Sequence, residues 1–131
     1  MRPLALGVVC GVVLLCGACK SNNEGKIVGK WKAVSSTDAN NQTETLPPGT
    51  DLFFEFTQDG RFLAYAMQGG TRHDVGSAKY SLGSGDWLTL TDLNPPQDGK
   101  TKSREKVGIT GDTMTIQGEK GKTMTFTRVK G

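Results

Sequence analysis

Short stretches of Val, Ile, Thr, Phe and Tyr recur along almost the whole chain, each closed off by glycine or another turn-forming residue. That punctuation leaves little choice of architecture. No long segment carries apolar residues at helical spacing, so helix is a minor component. The 18 glycines of the 131-residue chain stand mostly between β-branched and aromatic stretches, as in an antiparallel meander or barrel. Strands are expected at 27–34, 52–57, 61–67, 74–82, 87–93, 103–110, 113–117 and 123–130. Leu52, Phe54 and Phe56 alternate onto one face. Gln58-Asp59-Gly60 is a tight hairpin turn, since Asp-Gly accepts the positive φ that such turns need. Gly76 weakens the fourth strand, and Asn94-Pro95-Pro96 cannot continue a ladder because proline lacks the N–H donor. About eight antiparallel strands joined mainly by tight turns predict an all-β fold, a small up-and-down β-barrel whose closure removes exposed edges. A two-sheet sandwich is the competing arrangement. At this strand number a barrel interior is just wide enough for side chains or one small ligand.

The first residues follow a different logic. Arg2 is a short basic start, 4–15 is an unbroken run of small and apolar residues, and Gly17-Ala18 stand directly before Cys19. Charge, apolar core, small residues and cysteine form the layout of a secretory signal peptide, and the run is too short for a membrane span of about 20 residues. The stretch resembles the bacterial lipobox, with Cys16 where a leucine is usual. The resemblance implies a signal peptide over 1–18, a lipid-modified Cys19 followed by a polar tether over 19–26, and a barrel domain over 27–131. The expected location is the bacterial cell envelope, lipid-anchored. Lys20 follows the cysteine where an inner-membrane retention signal would have Asp, which favours the outer membrane. Cys10, Cys16 and Cys19 all lie in this export segment, so the domain has no thiol for a disulfide, a metal or nucleophilic catalysis. Its stability must come from its core alone.

Charge and motifs exclude several classes of function. Net charge is +3, with bases and acids interspersed. The densest basic stretch, Lys100 to Lys106, contains Glu105 and lacks interleaved aromatics, so it reads as a solvated strand edge and no nucleic-acid partner is expected. His73 is the only histidine, too little for a metal site without thiols. No Gly-x-Ser-x-Gly elbow is present, and Ser84 is a turn residue. The acids are scattered; Glu55 alone is flanked by apolar residues, which makes it the one candidate polar group for a cavity. No glycine-rich phosphate loop opens a helix. The chain is therefore expected to be non-enzymatic, with no catalytic residues and no cofactor.

Three stretches resemble lipocalin-like (calycin-type) proteins: Gly29-Lys30-Trp31 at the domain's start, the hairpin Phe56-Thr57-Gln58-Asp59-Gly60-Arg61-Phe62, and the closing strand Met124-Thr125-Phe126-Thr127-Arg128-Val129. With the lipoprotein-type leader, the pattern is similar to a paralogous family of small exported proteins in planctomycetes of the Gemmata type. The resemblance implies that Gly29 and Trp31 close one end of the barrel and that Arg128 covers the tryptophan. It also implies a small domain whose barrel is often filled.

The surface expected to carry function is the barrel mouth, beside the long polar connection 35–51, with Phe54, Tyr65 and Met67 near or inside a cavity. The expected role is binding of a small apolar molecule or an envelope component. The alternative is a protein-interaction or protease-inhibitor-like module with a filled barrel, acting through the segment 20–26.

Overall fold

The computed structural model describes residues 23–118 and 120–130. The signal peptide, Cys19 and the tether up to residue 22 lie outside them. One turn of helix, α1 (Glu24–Ile27), precedes nine strands: β1 (Gly29–Thr37), β2 (Thr43–Glu44), β3 (Thr50–Phe56), β4 (Arg61–Gln68), β5 (Thr71–Gly83), β6 (Trp87–Asn94), β7 (Ser103–Thr110), β8 (Thr113–Gln117) and β9 (Thr123–Arg128). Every pairing is antiparallel. Strands β1 and β3 to β9 follow one another around the sheet, and β9 returns to pair with β1. The result is a closed eight-stranded barrel, with the two-residue β2 as a flap on the end of β1.

Local chemistry sets the limits of these strands. The first begins two residues later than expected because Ile27 N donates to Asn23 O at 2.9 Å, which winds the entry into α1. The β3–β4 hairpin closes through Thr57 N to Arg61 O at 2.9 Å, and this sets Phe56 opposite Phe62. β5 starts earlier than expected, at Thr71. It carries an extra residue, Val75, between Asp74 (paired with Tyr65) and Gly76 (paired with Ala64). Such a bulge bends the strand and lets a neighbouring segment approach.

The core is concentrated towards the α1 end. Trp31, Phe56, Phe126, Ile27, Leu88 and Met114 are its fully enclosed side chains. Their aromatics interlock: Phe54 meets Phe62 edge-on at 4.9 Å and Phe126 at 4.7 Å, while Phe56 meets Phe62 at 5.1 Å and Tyr80 edge-on at 5.0 Å. Edge-to-face and tilted pairs suit the ring quadrupole and add to what area burial contributes. α1 and the β3–β4, β5–β6 and β7–β8 turns gather at this end. The connections 38–49, 69–70 and 95–102, with Gly118 and residues 120–122, lie at the other.

Candidate functional site

The closed end is built around Trp31. Its indole is fully enclosed, and its Nε1 donates to Ile27 O at 2.9 Å. The guanidinium of Arg128, the ladder partner of Trp31, lies 4.2 Å from the ring. From there Nη1 donates to Val28 O at 3.2 Å and Nη2 to Lys26 O at 2.7 Å. One side chain thus covers the tryptophan and ties the entry segment across the barrel. Asp112 stands 3.5 Å from Arg128 Nε and accepts from Lys130 at 2.8 Å. The Lys130 ammonium holds the Asp112 carboxyl below the usual carboxylate range, with Arg128 adding to the effect. Gly29 sits at φ 136, and a Cβ there would be 3.1 Å from Arg128 Nη1. The backbone therefore favours glycine, and a Cβ would press on the arginine that crosses it.

The other half of the barrel is hollow. A cavity of about 440 Å³ opens towards the end opposite Trp31. Leu52, Phe54, Phe62, Leu90, Ile116 and Met124 supply its apolar walls, with Ala64 leaving space between them. Its rim is polar: Asn94, Gln97, Ser103, Glu105 and Lys122. This volume lies in the range of small-molecule sites, and apolar walls with a few polar groups at one end are how such sites orient a ligand. The connection expected to guard the mouth lines a side pocket instead. Glu44, Leu46 and Pro47 enclose about 250 Å³ against Ala33, and this pocket shares Lys122 and Met124 with the main cavity.

Phe54 lines the cavity as expected. Tyr65 and Met67 do not; both are corrected to the outer face of β4. Because Phe56 pairs with Phe62, the inward positions of β4 are Phe62, Ala64 and Ala66. Tyr65 is nonetheless buried. Phe53 stacks on it at 5.3 Å, the Arg72 guanidinium covers it at 3.8 Å, and Lys30 approaches to 5.9 Å. Met67 pairs with Asp51, whose carboxylate meets Lys32 at 3.5 Å. Glu55 shares the outer face with Phe53, between Lys30 and Leu63 in the ladder, and is outside the cavity. His73 is exposed, next to the outer Arg72–Asp74 ion pair at 2.9 Å. Ser84 lies in the exposed β5–β6 turn. Among the described residues, no three His, Cys, Asp or Glu side chains cluster to hold a metal.

Of the cavity residues not expected from the sequence, which include Phe62, Leu90, Ser103 and Lys122, Glu105 is the acidic one. β7 alternates half-buried Ser103, Glu105 and Ile109 and buried Val107 with exposed Arg104, Lys106 and Gly108. Glu105 therefore faces the barrel interior opposite buried Leu88. The signal was present in the spacing, because Glu105 stands at period two from Val107 and Ile109.

No family model matches the chain, and no curated protein matches it. Among solved structures, the fold is similar to that of an uncharacterised protein from Bacteroides eggerthii DSM 20697, with a TM-score of 0.64 and 20% identity. The match covers 79% of this chain and 99% of the other. At that identity the likeness is one of fold: both chains build the same kind of small β-rich domain.

Proposed function

We propose that this protein is an exported, lipid-anchored, lipocalin-like barrel that binds a small, mainly apolar molecule in its cavity and performs no chemistry on it. The observation that carries this reading is the half-hollow barrel: about 440 Å³ with apolar walls and a polar rim. A filled interior would have favoured the alternative, a module acting on proteins through its surface. An apolar ligand entering such a space exchanges its own water and that of Phe54, Phe62 and Leu90 for mutual contact. The rim groups Ser103, Glu105 and Lys122 suit a ligand with one polar end held at the mouth. Lipid on Cys19, through the short segment before α1, would keep the barrel at the envelope membrane, the outer one by the residue that follows the cysteine.

Native mass spectrometry of the full chain, purified from the envelope of its own host, tests the binding role. A retained mass of a few hundred daltons, lost on unfolding, is the expected outcome. A bare mass from several preparations, with no rise in melting temperature on adding fatty acids or isoprenoids, would eliminate it.

A further inference from the structure

The run Lys100–Lys106 looks like an ordinary solvated edge in the sequence, because Glu105 interrupts it and no aromatic is interleaved. Folding removes both objections. Glu105 turns inward with Val107, leaving Arg104 and Lys106 exposed on the outer face of β7. The aromatic comes from the next strand. Trp87 is the ladder partner of Lys106, and its half-buried ring lies 4.1 Å from the Arg104 guanidinium and 5.1 Å from the Lys106 ammonium. Lys106 also donates to Gly85 O in the β5–β6 turn. On the same side, Arg61 faces Lys79 across the β4–β5 ladder. Of the acids near this face, Asp92 is held by Lys79 at 3.4 Å, Asp86 lies in the turn before Trp87, and exposed Asp98 shares a groove with Arg104.

We propose that the Trp87–Arg104–Lys106 face docks on the anionic headgroups of a lipid bilayer. Tryptophan settles at the level of lipid headgroups because its body is apolar and its N–H is polar. Each Lys or Arg beside an anionic leaflet changes partition about five-fold. The place of the patch in the fold selects the membrane over other polyanions. The β5–β6 turn lies at the α1 end: Leu82 and Gly83 line one groove with Glu24, Gly25 and Val28, and Gly83 is the other ladder partner of Trp87. Asn23 and α1 therefore stand at the same end as the turn that Trp87 and Lys106 adjoin. A lipid on Cys19, which rests on the function proposed above, would hold that end within about 15 Å of a bilayer.

The test uses the full chain inserted into vesicles of phosphatidylcholine alone, or of phosphatidylcholine mixed with phosphatidylglycerol, with brominated acyl chains as quenchers. The chain has 2 tryptophans and Trp31 is fully enclosed, so quenching reads Trp87. Strong quenching is expected only with phosphatidylglycerol, weakening as added salt screens the headgroups. The double variant Arg104→Glu/Lys106→Glu should lower the docked fraction at least ten-fold, while Arg104→Lys, which keeps the charge, should dock almost normally. If the double variant does not fold, Arg104→Gln and the salt titration of the unaltered chain decide in its place. Equal quenching in both vesicle types, or none in either, overturns the proposal. So does a Trp87 that ignores vesicles but responds to heparin or an oligonucleotide, which would assign the face to a soluble polyanion.

Discussion

At the scale of single residues, Trp31 and Arg128 concentrate several modest attractions on one pair of side chains. The guanidinium over the indole contributes about 0.5 to 2 kcal/mol, and the hydrogen bonds to Val28 O, partly buried, and Lys26 O, exposed, add at most about 1.5 to 3 kcal/mol each, the exposed one least. Trp31→Ala removes the largest enclosed ring and leaves Ile27 O and Arg128 without their partner. It should lower the unfolding free energy by about 3 to 5 kcal/mol. Arg128→Lys is the finer probe, because a compact ammonium cannot cover the ring and reach both Val28 O and Lys26 O. A loss of about 1 to 2 kcal/mol is expected from urea titration; an unchanged midpoint would mean that Arg128 does not close the barrel. Tyr80 makes a second residue-scale prediction. Its hydroxyl donates to Thr57 O at 2.5 Å, and burial first, then Glu24 and Asp59, raise its pKa above the ordinary value. The neutral phenol is thus favoured in the folded state, so its contribution is full below about pH 10 and is lost as pH rises through the folded pKa. Tyr80→Phe should melt lower than the unaltered chain near neutrality, by about 1 kcal/mol for the lost hydrogen bond. The gap should narrow steadily with alkali. Parallel melting curves across that range would contradict it.

Among the elements, β5 borders the hollow half with its bulge. Val75 is extra on its side of the ladder, and beside it Gly76 meets the end of β6: a Cβ would stand 3.3 Å from Asn94 O and 3.8 Å from Pro95 Cδ. Gly76→Val forces the Asn94–Gln97 rim outward. It should cost about 1 to 3 kcal/mol, as overpacking does, and weaken binding of an apolar probe in the cavity. A variant with unaltered melting and binding would show that the close approach is not needed. Much of this architecture was legible in the sequence, because turn residues and period-two alternation are local signals. The strands β4 and β6 to β9 appear within a few residues of where those signals place them, and Trp31 and Arg128 meet as the family resemblance implies. Inside and outside were less legible, since they depend on the parity of pairing. The Asp59-Gly60 turn sets Phe56 against Phe62, and that parity sends Tyr65 outward, where Phe53 and Arg72 bury it. The size and aromaticity of Tyr65 suggest a core position with equal force. The bulge at Val75 and the helical turn α1 arise from contacts made only after closure, so no local pattern announces them.

Taken as a whole molecule, the barrel divides its labour along its axis. Trp31, Phe56, Phe126, Ile27, Leu88 and Met114 fill the end beside α1, and the cavity occupies the other. Stability and binding should therefore respond to different substitutions. Phe126 is fully enclosed and touches Phe54 at 4.7 Å. Phe126→Ala opens a void in the filled end and should cost about 3 to 5 kcal/mol. Ala64 faces the hollow end, flanked in the ladder by Phe54 and Gly76, and a larger side chain there has space to enter. Ala64→Phe should stay folded, losing no more than about 1 to 3 kcal/mol, yet abolish uptake of an apolar fluorescent probe. Denaturation midpoints and probe titrations on the two variants separate the roles. If Ala64→Phe unfolds as readily as Phe126→Ala, the end opposite Trp31 is packed, and a ligand must be sought on the outer surface. If it folds and still takes up the probe, the binding site lies elsewhere, the side pocket beneath Leu46 and Pro47 first. Only a stable barrel that has lost the probe is consistent with a ligand held among Phe54, Phe62 and Leu90, and the rim at Glu105 then becomes the place to look for what selects it.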